Sequence, residues 1–192
     1  VRRLALPFAG RVEPRIAEVV ASAVRAFEEA GAIVEPVKLG IKRSQRELSD
    51  AWSRLMMPLN IGTFETMKSF GLDLLRDHAD DFPPEYLAWI EIGEKMTIAD
   101  LLRDQAIRSE VYDALQGAFA TYDLIVTPTL AALPVKNATD GNTVGPREVN
   151  GEAVDPLIGW CLTYPVNFTG HPAASIPAGM VEGLPVGMQI IG

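Results

Sequence analysis

The sequence has a single cysteine, Cys161, and only two histidines, His78 and His171, which stand far apart. A lone thiol excludes an internal disulfide framework, and histidines so separated offer no metal-ligand spacing, so neither a metal nor another cofactor is expected. Positive charge is scarce as well: 17 Lys and Arg stand against 25 Asp and Glu, a net charge of -8. A negative surface repels phosphate backbones, and no basic cluster alternates with aromatics, so nucleic acid is not an expected partner. Long hydrophobic runs are also missing. The longest are cut by Pro or charge well short of the length that crosses a bilayer. The opening VRRLALPFAG is interrupted at Pro7 and followed by Arg11 and Glu13, too short an apolar segment for a signal peptide. These absences lead to the expectation of a soluble, cytoplasmic protein with no membrane partner. No internal repeat, low-complexity tract or linker divides the chain.

What is present is ordinary globular material, 192 residues of which 48% are hydrophobic, enough to enclose one core. The run from Arg2 to Phe8 reads as a strand. Val12-Glu13-Pro14 then sets a helix start, and Ile16, Val19, Val20, Ala23, Val24 and Phe27 recur at spacings of three and four, one apolar stripe ending at Gly31. Ala32 to Leu39 reads as a second strand, parallel to the first because a helix joins them. From Ser44 to Tyr122 the pattern is mostly helical: a segment to Phe70 broken or kinked at Pro58 and Gly62, a loop at Asp80 to Pro84, a helix over Tyr86 to Met96, and a longer helix behind Thr97-Ile98-Ala99-Asp100, which reads as a capping box. The period then changes. Leu124 to Val126 is a short strand, Lys136 to Val154 a polar loop, Asp155 to Leu162 a short helix, and Ala173 to Ile176 and Leu184 to Ile191 are final strands in hairpin order.

Three blocks in the last third carry more than strand patterning: D-x-x-x-T-P-T from Asp123, W-x-x-T-Y-P-x-N-x-T-G-x-P-A-x-S-x-P-x-G from Trp160, and G-L-P-x-G-x-Q-I-x-G from Gly183. In this order, with their Pro and Gly positions, they resemble the C-terminal region of the amidase signature family. A weaker match is Ala26 to Val34, AFEEAGAIV. The resemblance implies an α/β fold, the C-terminal half of a mixed β-sheet flanked by helices, with residues 1–192 forming one partial domain and the catalytic half absent. It also implies a parent enzyme that hydrolyses linear carboxamides to carboxylate and ammonia by serine acyl transfer. That chemistry uses a nucleophilic serine, a second serine in a cis peptide, a lysine, and a Gly- and Ser-rich oxyanion loop. The serines here, Ser22, Ser44, Ser49, Ser53, Ser69, Ser109 and Ser175, are scattered and lie in no such loop, so no catalytic residue is assigned and the isolated chain is expected to be inert. Val1 is not a start methionine and nothing follows Gly192, which leads to the expectation that both ends are cut.

In family members that hydrolyse glutamine for tRNA-dependent amidation, an arginine and an aspartate of this region hold the amino acid's charged ends. The matching positions here are near Trp89 and at Trp160, and an indole pairs with neither group. A neutral, aromatic or aliphatic amide is therefore the expected small-molecule substrate, with Trp89, Trp160 and Tyr164 as substrate-binding candidates, against core packing as the alternative for both tryptophans. The residues alone offer little other chemistry. Cys161 reads as a small buried apolar residue and His171 as a turn residue rather than a thiol and base. Glu148, Glu152 and Asp155 read as a solvated loop, and His78 beside Asp77 and Asp80 as a solvated helix end. Two further readings stand beside the hydrolase: part of the amidase-like component of a tRNA-dependent glutamine amidotransferase, and a non-catalytic assembly module. A sheet cut from its partner strands exposes an edge, so self-association or a homodimer is expected.

Overall fold

The computed structural model describes residues 2–6, with Leu6 in backbone only, and 12–192. The first strand, β1, is Arg3–Leu6; Pro7 and Phe8, which complete the expected strand, lie outside the described residues. Helix α1 is Pro14–Glu29, with Pro14 in its first turn, and it buries Ile16, Val20 and Val24 from the expected stripe. Gly31 then turns the chain at φ 89°, a conformation that a Cβ resists. Strand β2 is Ile33–Pro36, half the expected length: its parallel register with β1 runs only from Arg3↔Ile33 to Leu6↔Pro36, and Pro36 has no N–H with which to extend a ladder.

Helix α2, Gln45–Ser69, runs on through Pro58 instead of breaking there. It starts on a capping box in which Ser44 and Glu47 satisfy each other's backbone N–H groups. A four-residue helix, α3 (Leu74–Asp77), and a 3₁₀ turn at Ala79–Asp81 fill what the sequence suggests is loop. Helix α4 is Pro84–Glu94 and α5 is Ile98–Phe119, and the Thr97–Asp100 capping box forms as expected. The Thr97 hydroxyl and backbone N–H, with Arg103, hold the Asp100 carboxyl down at about 2. Where α4 crosses α2, a Cβ on Gly93 would sit 2.6 Å from the Met57 Cβ, so the helices meet this closely only because Gly93 has no side chain.

Strand β3 is Leu124–Pro128. The polar loop contains a small hairpin of β4 (Glu148–Val149) and β5 (Glu152–Ala153), turned at Asn150 and Gly151, both at positive φ. The helix expected over Asp155 to Leu162 does not form; turns occupy it, and the helix α6 is Tyr164–Thr169. The reason is pairing with the stretch that follows β3: Ala131 N donates to Trp160 O and Leu162 N to Thr129 O, which draws residues 160–162 out beside that stretch. Strands β6 (Ala173–Val181) and β7 (Leu184–Ile191) close the chain as an antiparallel hairpin over Gly183, at φ 79°.

The mixed sheet has the order β2-β1-β3-β7-β6, parallel from β2 to β3 and antiparallel from β3 to β6. Successive residues point to opposite faces. Leu4, Val126, Val186 and Met188 therefore pack with α1, while Ala5, Ile125 and Ile191 pack with α2, α5 and α6. A third cluster, of Met57, Trp89 and Ile90, joins α2 to α4. At the β6 edge the cover stops: Ala173, Ala174, Ser175, Ile176 and Pro177 are all exposed, and β6 pairs with β7 alone. Among the described residues no helix is long and apolar enough to cross a membrane.

Candidate functional site

Three strands lay a polar row across the face that looks toward α2 and α5. The register sets Thr127 opposite Gln189, and Gln189 opposite Ser175, two residues on from Ile125, Ile191 and Ala173, so these side chains continue the same face. Gln189 is 4% exposed, and its Nε2 donates to Thr127 Oγ1 at 3.1 Å and to Leu162 O at 3.2 Å. In the next row Thr129 and Ser175 share a hydrogen bond of 2.7 Å. It passes above Gly187, where a Cβ would come within 2.8 Å of Thr129 Oγ1 and 3.0 Å of Ser175 Oγ. A side chain at position 187 would part the two hydroxyls.

Beside this row lies a cavity of about 180 Å³, into which Thr127 and Gln189 both face. Its walls are apolar: Ile41, Leu48, Leu115, Ile125, Val166 and Ile191. Tyr164 and Gln45 complete the lining and brace each other, because the Tyr164 hydroxyl donates to Gln45 O at 3.1 Å and Gln45 Nε2 donates to Gly159 O. The chain thus places a few oriented polar groups in an otherwise oily space, the usual build of a small-molecule site.

The structure sets the substrate-binding candidates in three separate places. Tyr164, 1% exposed, is in the cavity wall. Trp89 is buried on α4, and its Nε1 donates to Asp155 Oδ2 at 3.3 Å. Asp155, 4% exposed, also caps Leu157 N and Ile158 N with Oδ1, so it is a structural acceptor rather than a loop acid. Trp160 packs with the α1-side core, its indole edge against Gly145, where any Cβ would strike the ring.

The remaining candidates have plain surroundings. Burial pushes the Cys161 thiol above its ordinary pKa. His171 stacks between the Tyr112 and Phe119 rings, at 5.5 and 5.0 Å, beside the Gln116 amide. His78 pairs with Asp81 at an exposed helix end, and Glu148 and Glu152 are exposed on the small hairpin. Among the described residues no serine hydroxyl bonds a lysine, a histidine or a second serine; their partners are backbone carbonyls, Glu47, Arg25 and Thr129, and no cluster of His, Cys, Asp and Glu could hold a metal. Gln45, Thr127, Ser175 and Gln189 were not singled out from the sequence. The available signal was the alternation in T-P-T and in G-M-Q-I-I, which puts Thr127 and Thr129, and Gly187, Gln189 and Ile191, on one face.

Comparison with known proteins bears on what this half-open α/β body belongs to. Residues 5–192 match the family profile described as Amidase. Over 186 residues the chain is 30% identical to an acylamidase of Rhodococcus erythropolis, covering 94% of this chain and 36% of that protein. It is also 30% identical over 212 residues to a glutamyl-tRNA(Gln) amidotransferase component of Lacticaseibacillus casei, covering 99% of this chain and 41% of that one. In three dimensions all of it superimposes on the crystal structure of a bacterial aryl acylamidase of the amidase signature enzymes, with a TM-score of 0.95 and 43% identity, over 40% of that chain. The chain therefore spans about two fifths of the length of the relatives it matches. With nearly every residue inside the family profile and the whole fold inside a member's structure, the chain belongs to the amidase signature family.

Proposed function

We propose that this chain is the C-terminal portion of a hydrolase that splits a carboxamide into carboxylate and ammonia by serine acyl transfer, the nucleophile and its activating groups lying in the part of the parent outside these residues. The observation that carries the reading is the superposition of the entire chain on two fifths of an aryl acylamidase. The exposed β6 strand agrees with it, since a sheet that ends in an uncovered apolar strand has the form of a part fitted to more protein. Trp89, Trp160 and Tyr164 are the residues we assign to the substrate side, with the substrate a neutral amide. An indole N–H donates but carries no charge, so it meets an amide oxygen or an aromatic group better than an α-carboxylate.

The test compares the chain with its full-length parent. The parent is expected to hydrolyse aryl and alkyl amides and to react with a serine-directed fluorophosphonate, and the 192-residue chain to do neither. Labelling of this chain at any serine would overturn the assignment of the nucleophile to the other part.

The amidotransferase reading rests on the relative from Lacticaseibacillus casei. It is less favoured because the arginines around the Trp89 cleft are already committed, Arg54 to Asp104 at 2.7 Å, Arg147 to Glu85 at 2.6 Å and Arg46 to Asp50 at 2.8 Å. Each would have to leave a carboxylate to receive an amino acid's. We also propose that the isolated chain self-associates through the β6 edge. Sedimentation is expected to give a dimer or larger species, and a monomer that unfolds cooperatively would favour the assembly-module reading instead.

A further inference from the structure

We propose that the cavity under the Thr127–Gln189 row is an amide-recognising subsite that takes a phenyl-sized group with its attached amide; the amide part of this inference rests on the hydrolase reading above. Size comes first. Apolar cavities of about 150 Å³ take up benzene, and this one measures about 180 Å³ with aliphatic walls.

The polar end follows from hydrogen-bond inventory. A glutamine amide has two N–H donors and one oxygen acceptor. Gln189 spends both donors, on Thr127 Oγ1 and Leu162 O, and the second partner, a carbonyl, fixes which end is nitrogen. Its Oε1 has no hydrogen-bond partner among the described residues, and neither has the Thr127 proton, because Thr127 accepts from Gln189. What faces the cavity is therefore one acceptor and one donor side by side. A ligand N–H directed at Gln189 Oε1 and a ligand carbonyl receiving the Thr127 O–H would satisfy both, and a secondary amide carries those two groups. An ester or ketone lacks the N–H and leaves a nearly buried acceptor unmatched, a loss that discriminates more sharply than a missing methylene.

The experiment uses the 192-residue chain labelled at isoleucine methyls, with acetanilide as probe and ethylbenzene as apolar control. Saturable shifts of Ile41, Ile125 and Ile191 are expected with acetanilide, and binding about tenfold weaker in Thr127→Val, which keeps the shape and removes the hydroxyl. Ile41→Trp, at the half-buried rim, is expected to abolish the shifts. Absence of shifts at these methyls in the unaltered chain would overturn the proposal. So would equal binding of acetanilide and ethylbenzene that is indifferent to Thr127→Val, which would mean an apolar hole and no amide recognition. The two readings fail separately. A parent that cleaves amides while the chain binds none here loses the subsite alone, and binding here beside a parent that cleaves no amide loses the hydrolase and keeps the subsite.

Discussion

Replacing Arg54 with methionine is expected to lower the stability of the chain by about 3 kcal/mol, more than most single changes in its core. The expectation comes from Asp104 rather than from the arginine. Asp104 lies on α5 with its side chain wholly buried, and Arg54, on α2, meets its two oxygens with Nε and Nη2 at 2.7 and 2.9 Å. This fork-to-fork geometry pins the two longest helices together at one point. Remove the guanidinium, and a carboxylate stays behind where water does not reach. Arg103 is no substitute, because its Nε is 3.8 Å from Asp104 Oδ1 and its side chain is 58% exposed. The pair need not add net stability over an apolar pair, since taking both charges out of water costs about what their attraction returns. The double variant Arg54→Met with Asp104→Leu is therefore expected to recover most of the loss. Urea unfolding of wild type and the three variants at one protein concentration gives the coupling directly. A single-variant loss below about 1 kcal/mol would mean that Asp104 finds another partner or water.

How far the sequence foretold this body depends on the range over which each feature is decided. Helix α1 was legible because its stripe, its Pro14 and its Gly31 lie within one segment, and the Thr97–Asp100 box was legible for the same reason. The Asn150-Gly151 turn carried a local hairpin signal of the same kind, one that reading the stretch as loop passed over. The misplaced helix before Tyr164 shows the limit. Asp155 caps the N–H groups of Leu157 and Ile158, as a helix start would, yet Thr129 and Ala131, some thirty residues earlier, claim the backbone of Trp160 and Leu162 and stop propagation. The polar row is a stronger instance. Thr127 and Gln189 are 62 positions apart, and nothing near either residue announces the other until β3, β7 and β6 have paired in register. Family resemblance marked these strings as inherited, while the register explains what their polar residues can do together.

Tyr164 is where packing and proposed function meet, and two substitutions separate them. The residue is 1% exposed, packs edge-on to Phe168 with ring centroids 6.3 Å apart, and belongs to the core between the sheet and α2, α5 and α6. Tyr164→Ala is expected to cost about 3–5 kcal/mol, the usual loss on deleting a buried aromatic ring, and to unfold a chain whose β6 edge is already uncovered. Tyr164→Phe keeps the ring and removes the hydroxyl that donates to Gln45 O, at a cost of about 1 kcal/mol. That bond steadies the first turn of α2, from which the Gln45 side chain reaches into the cavity, so losing it loosens one side of the proposed subsite while the core stays filled. In the full-length parent, Tyr164→Phe is thus expected to raise KM for an anilide severalfold with kcat nearly unchanged, the pattern of an interaction made equally in ground and transition states. An unchanged KM beside the expected small loss of stability would assign Tyr164 to the core alone and remove it from the substrate side.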